Sequence, residues 1–194
     1  MFLTIGLLGG ILELVSLIPY LRDIISGQTR PSRSSWTIWT ILNVIALAGQ
    51  WAAGARASLI FTLVATLACT IILGLALKNK QDHFSRIDVL CLIIAAAGLV
   101  GWYISRDPLV ALILIVVVDA MGLVPTLHKI YIDPSSETLS AWILSAIGGG
   151  LAAVAVGSID FTLILYPGYI FVANLLTCAL IVASRRRVKS QQIA

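Results

Sequence analysis

Long apolar runs alternate along the chain with short polar clusters, and the runs have the length of a bilayer crossing. A helix needs about 20 consecutive apolar residues to cross a hydrocarbon core, and lipid offers no partner to backbone groups left outside a helix or closed barrel. The pattern predicts seven helical spans, near 3–25, 35–54, 57–78, 87–104, 109–131, 138–157 and 160–184. The first run lacks a basic leader and carries Glu13 where a signal peptide keeps an unbroken apolar stretch, so it is expected to be a helix of the mature protein.

Composition narrows the class. Of 194 residues, 59% are hydrophobic and only 11% charged, with a mean hydropathy of +1.01. A soluble domain carries about a quarter charged residues, so the sequence implies a multi-pass protein of the cell membrane. The charge distribution then sets an orientation. With the N-terminus outside, eleven Lys and Arg residues fall in the inner segments, and only Arg56 and Arg106 fall outside. The positive-inside rule therefore predicts N-out, C-in. Arg185, Arg186 and Arg187 close the last span as an orientation signal that can touch anionic lipid. Basic residues confined to short loops and a tail do not form a phosphate-binding face, so no nucleic-acid partner is expected.

A shift of 106 residues superimposes two segments without a gap. Glu13 falls on Asp119, Pro19 on Pro125, Leu21 on Leu127, Ile24 on Ile130, Ser34 on Ser140 and Trp36 on Trp142. Each copy crosses a polar turn between its Pro and its Trp. The shift joins the first span to the fifth and the second to the sixth, leaving the fourth as the odd one. An odd inverting helix makes the two three-helix units parallel, related by an axis along the membrane normal, as in transporters that hold substrate near the midplane. The expected fold is an all-α membrane protein in a 3-1-3 arrangement. Its parts are a first repeat (1–81), a linker helix (82–106), a second repeat (107–185) and a basic cytoplasmic tail (186–194).

These residues carry a resemblance. Pro19 followed by Ser32, Ser34, Trp36 and Asn43, and Pro125 followed by Ser135, Ser136, Glu137, Thr138, Leu139 and Ser140, resemble the two halves of a PQ-loop protein. The helix count and orientation are similar to those of the SWEET sugar transporters of the same clan. The name-giving glutamine is replaced by Tyr20 and Thr126, and the second and sixth spans carry no proline. The resemblance implies a carrier of a small polar solute, a sugar by family analogy, working by alternating access. It also implies an amide in the third helix of each unit. Asn174 matches that place, and the third span offers Thr66 or Thr70 instead.

Candidate chemistry centres on Glu13 and Asp119, the acids at mid-depth in their spans. An ionised carboxylate facing lipid costs at least ~2.5–3.5 kcal/mol, so an intramembrane acid points to function. Two facing carboxylates cannot both ionise cheaply in a low-dielectric cavity. The pair is expected to carry a proton or to neutralise a cationic substrate; the alternative is an acid that only fixes helix packing. Asn43, Asn174 and Trp39 are the further substrate-binding candidates, with interhelical hydrogen bonding as the alternative for the amides. Pro19 and Pro125 delete helical hydrogen bonds and are candidate hinges or static kinks. Trp36 and Trp142 are candidate gates or interfacial anchors. Tyr166, Pro167, Gly168 and Tyr169 form a second helix breaker, and Gly148, Gly149 and Gly150 allow close packing. His83 and His128 are expected in solvent at the inner boundary. Cys69, Cys91 and Cys178 lie in apolar stretches without metal spacing, and there is no Walker loop and no hydrolase elbow. No metal, cofactor or enzymatic activity is expected; the partners are a small solute and membrane lipid, with a homo-oligomer left open.

Three rivals share the expected fold. A vitamin or nucleoside carrier of the nicotinamide-riboside type is suggested by Gly101-Trp102-Tyr103. An amino-acid/proton carrier would also use the acid pair. A non-transporting membrane receptor would be favoured by long cytoplasmic segments, which the sequence does not contain.

Overall fold

The computed structural model describes residues 2–52, 57–78, 85–104, 108–157 and 161–193. Seven helices make up the described chain: α1 (Phe2–Ile25), α2 (Arg33–Ala52), α3 (Ala57–Lys78), α4 (Arg86–Ile104), α5 (Pro108–Ile132), α6 (Leu139–Ala155) and α7 (Phe161–Ile193). No strand occurs among the described residues. Each helix occupies one of the runs read from the sequence. Three of them, over Thr4–Ile25, Leu112–Ile132 and Ile164–Gln191, are long and apolar enough to cross a membrane. Arg56, Lys80 and Arg106, which carried part of the orientation argument, and His83, expected in solvent, lie outside the described residues.

Burial differs from that of a soluble protein, although Ile72, Ile130 and Ile181 are fully buried. Large apolar side chains face outward, among them Leu7, Ile18, Val44, Ile93 and Leu176, while the most deeply buried positions include Ser34, Ser35, Thr126, Glu137 and Thr177. Exposed apolar surface on this scale has to be covered by something other than water, and lipid fits it.

Three contacts between helices occur in equivalent pairs under the shift of 106. α1 packs on α6 as α5 packs on α2; α2 packs on α3 as α6 packs on α7; α1 meets α3 as α5 meets α7. α4 breaks the pattern, packing on α5 and touching α2. It begins with a reciprocal cap: the Asp88 carboxylate accepts from the Ser85 backbone N–H at 2.7 Å, and the Ser85 hydroxyl accepts from the Asp88 N–H at 3.2 Å.

Local chemistry sets the helix ends that position the centre of the molecule. α1 stops at Gly27, whose φ of 74° suits a residue without Cβ. Ser32 then starts α2, its hydroxyl accepting from the Ser35 N–H at 3.4 Å. At the equivalent turn Asp133 replaces the glycine, and its carboxylate accepts from the Ser135 N–H at 3.1 Å. Pro19, Pro125 and Pro167 all sit inside continuous helices, so the expected breaker at 166–169 does not interrupt α7. The tail set apart at 186–194 continues α7 as helix to Ile193, because Arg185 and Arg187 are held against the α5–α6 corner. Arg185 donates to the Pro134 and Glu137 carbonyls at 3.2 and 3.1 Å, and the Arg187 guanidinium lies 4.2 Å from the Tyr131 ring centre.

Candidate functional site

A cavity of about 430 Å³ lies between the two halves, lined by every helix except α4. α1 supplies Gly9, Gly10, Glu13, Ser16, Leu17 and Tyr20, a three-to-four spacing that places them on one helical face. Glu13, Trp36, Trp39, Asn43, Asp119, Trp142 and Asn174, scattered from one end of the sequence to the other, all border this one space. The two hinge candidates stand elsewhere: Pro125 borders a second, polar cavity of about 310 Å³ at the turn end, and Pro19 borders neither.

The two acids have unequal surroundings. The Asp119 carboxylate accepts from the Tyr169 hydroxyl at 2.8 Å, and the Asp119 backbone carbonyl accepts from the Trp39 indole N–H at 3.4 Å. Glu13 is exposed within the cavity, with the Ser145 hydroxyl beside its carboxylate. A tyrosine at the first-half position matching Tyr169 would have made the halves alike, but that position is Leu63.

Aromatic rings form the floor. Tyr20 and Trp36 are 5.4 Å apart, Trp36 and Trp39 meet edge to face at 5.2 Å, and Trp39 and Trp142 lie at 6.4 Å. All three indole N–H groups are engaged: Trp36 donates to the Tyr20 hydroxyl at 3.2 Å, Trp142 to the Glu137 carboxylate at 3.1 Å, and Trp39 as above. Trp36 is 9% exposed, and both rings turn inward to the cavity floor.

Beneath the floor the two turns are stitched together. Thr29 and Thr138 share a hydrogen bond at 2.6 Å, Thr138 donates to Asp23 at 2.9 Å, and the Arg30 N–H donates to the Ser136 carbonyl at 3.0 Å. Arg30 pairs with Asp133 at 2.5 Å. Lys129 pairs with the fully buried Glu137 at 2.6 Å and also donates to the Arg30 carbonyl. One turn further in, the Thr126 hydroxyl donates to that of Ser35 at 2.8 Å. His128, expected in solvent, is half-buried and borders the turn-end cavity with Arg30 and Lys129.

Both candidate amides border the cavity but spend donors on the backbone. Asn43 donates to the Trp39 carbonyl at 2.9 Å and Asn174 to the Ile170 carbonyl at 2.7 Å. Thr66 and Thr70, offered as the third-helix polar groups, donate to the carbonyls of Asn43 and Thr66. Ala65, Ala68 and Cys69 face the cavity from α3 instead. Of the Gly-Trp-Tyr motif, Tyr103 points away from the protein at 86% exposure. Gly148 and Gly149 serve packing: a Cβ on Gly148 would stand 2.9 Å from the Gly9 carbonyl, and one on Gly149 2.9 Å from the Phe171 nitrogen.

Sequence reasoning did not find the roles of Tyr166, Tyr169, Ser145 and Glu137. A signal existed for Tyr166: with Ile170, Ala173 and Asn174 it forms one helical face, and all four line the cavity. No group of three or more His, Cys, Asp or Glu side chains able to hold a metal ion occurs among the described residues. A scan against protein-family models, a search of curated proteins and a search of solved structures each returned no match.

Proposed function

We propose that the chain is a membrane carrier with seven spans, N-terminus outside, that moves a small organic solute by alternating access through the central cavity. The observation that carries this reading is the meeting of Glu13 and Asp119, equivalent residues of the two halves, in one cavity whose turn end is closed by contacts between those halves. Such a closed end is what a carrier must break to release its load, and the axis between repeats is where alternating-access carriers hold substrate. In this reading the acids take up and release the coupling proton, Trp36 and Trp142 are the inner gate, and Pro19 and Pro125 are the hinges.

Proteoliposomes test it. Wild-type protein should accumulate a bound solute under an imposed proton gradient. Glu13→Gln and Asp119→Asn should lose gradient-driven uptake while keeping part of solute exchange. Pro19→Ala and Pro125→Ala should restore a backbone bond and slow transport, with affinity changed by less than about tenfold, or ~1.4 kcal/mol. Full uptake by the double acid variant at every pH would reduce both acids to packing residues.

A further inference from the structure

We propose that the cavity takes an organic cation, a protonated amine on an aromatic or apolar body, with the Glu13 carboxylate as its counter-ion and tryptophan faces as its walls. The inference deepens the carrier reading and rests on it only for the claim that the bound amine moves.

Three observations converge on this class. The first is charge: among the described residues two carboxylates border the cavity and no Lys, Arg or His does. An anionic solute would find repulsion with nothing to offset it, and an amino acid would bring a carboxylate that meets no base. The second is the state of the polar groups. The indole N–H groups of Trp36, Trp39 and Trp142 already donate to protein acceptors, and Asn43 and Asn174 each donate to a carbonyl one turn away. A sugar presents many hydroxyls and needs a matching set of donors and acceptors, because each polar group buried without a partner costs about 1–3 kcal/mol. Of the two acids, Glu13 stands exposed in the cavity with the Ser145 hydroxyl beside its carboxylate, whereas Asp119 is held by Tyr169.

The third is the wall. Tyr20, Trp36, Trp39, Trp142 and Tyr166 present rings to a space otherwise bordered mainly by aliphatic residues and glycine. Ring faces attract a cation within about 6 Å, most strongly when it is desolvated and most of all at tryptophan. A carboxylate over an aromatic floor suits an ammonium carried on an apolar body. A volume of about 430 Å³ suits an organic molecule rather than a bare metal ion.

The test uses purified full-length protein and four probes that share or vary one feature: phenethylamine, its neutral isostere 2-phenylethanol, phenylalanine and glucose. Binding is read by calorimetry and by protection of Cys69 from maleimide, followed by mass spectrometry. Cys69 borders the cavity, 3.6 Å from the Asn43 amide nitrogen. Phenethylamine should bind and protect Cys69, with the other three at least tenfold weaker. Glu13→Gln should weaken the amine at least tenfold, about 1.4 kcal/mol, and Glu13→Asp should recover part of the loss at an unchanged melting temperature. Equal binding of the amine and the alcohol, preference for glucose or phenylalanine, amine binding that leaves Cys69 unprotected, or an unaffected Glu13→Gln would each overturn the proposal. Counterflow of labelled phenethylamine separates the two claims. Binding without counterflow keeps the cation site and removes the carrier; glucose counterflow without amine binding keeps the carrier and removes the cation site.

Discussion

The α1–α6 and α2–α5 seams are equivalent under the shift of 106, yet they are built from opposite materials. Where α1 meets α6, Gly9 and Gly148 bring backbone against backbone, and the Ser145 hydroxyl donates to that of Ser16 at 3.1 Å. The positions equivalent to Gly9 and Gly148 are Ile115 and Leu42, and those equivalent to Ser16 and Ser145 are Gly122 and Trp39. A Cβ on Gly122 would stand 2.7 Å from the Trp39 ring nitrogen, so here a bulky ring fills the gap that two serines span in the other seam. α1 accordingly lies against α6 over far more of its length than α2 lies against α5, and α4 packs beside the wider seam through Cys91 and Ala95. A seam of backbone contacts has no side chain to rearrange, whereas a ring can turn about its own torsions. Equivalent helices can thus form one seam of fixed backbone contacts and one seam filled by a side chain free to adjust.

The turn end shows the same inequality. Ser32 caps its own helix, while its equivalent Thr138 makes no side-chain cap bond and gives its hydroxyl to the opposite half. Lys129 pairs with buried Glu137, whereas the equivalent residues are Asp23 and Pro31.

Four substitutions test this comparison, taken from the largest expected effect to the smallest. Lys129→Met leaves Glu137 buried without its cation, a change that costs about 3–5 kcal/mol for a buried pair. The melting temperature in detergent should fall steeply, and Glu137→Gln added to it should recover part of the loss. Gly148→Val drives a side chain into the Gly9 backbone, and over-packing of this kind costs about 1–3 kcal/mol. Lost stability with the cavity intact would mark α1–α6 as the fixed seam; unchanged melting would dissolve the contrast.

Trp39→Ala removes the filler of the adaptable seam. Truncating a buried aromatic costs about 3–5 kcal/mol, but Trp39 is half-exposed to the cavity, so a loss of about 1–2 kcal/mol is expected. Maleimide should also reach Cys69 faster in this variant. The smallest effect belongs to Ser145→Ala, which removes one hydrogen bond worth about 0.5–1.5 kcal/mol. A larger penalty here than for Trp39→Ala would reverse the assignment of fixed and adaptable seams.

Much of this was legible from residue order. The apolar runs located the seven helices, because a backbone without water has to satisfy itself within its own segment. The offset of 106 paired Glu13 with Asp119 and Trp36 with Trp142, and all four border one cavity. Seam composition, the inward turn of the tryptophans, the Tyr169 bond to Asp119 and the burial of Glu137 were not legible. In these helices apolar residues lie both on the outer surface and against other helices, so hydropathy does not say which face packs. Between apolar faces association depends on small residues and polar bonds, whose partners lie far along the chain.

The sequence by itself determined where the helices run, that two sets of them repeat, and which rare polar residues lie within the apolar runs, because those properties follow from the local pattern of each segment. Tertiary structure alone decided that α1 pairs with α6 and α2 with α5, that one acid stands open while the other is bound by a tyrosine, and that the turns close one end of the cavity. Those outcomes depend on the fit of one surface against another, such as Gly9 on Gly148 or Trp39 on Gly122, and each partner specifies only half of the contact.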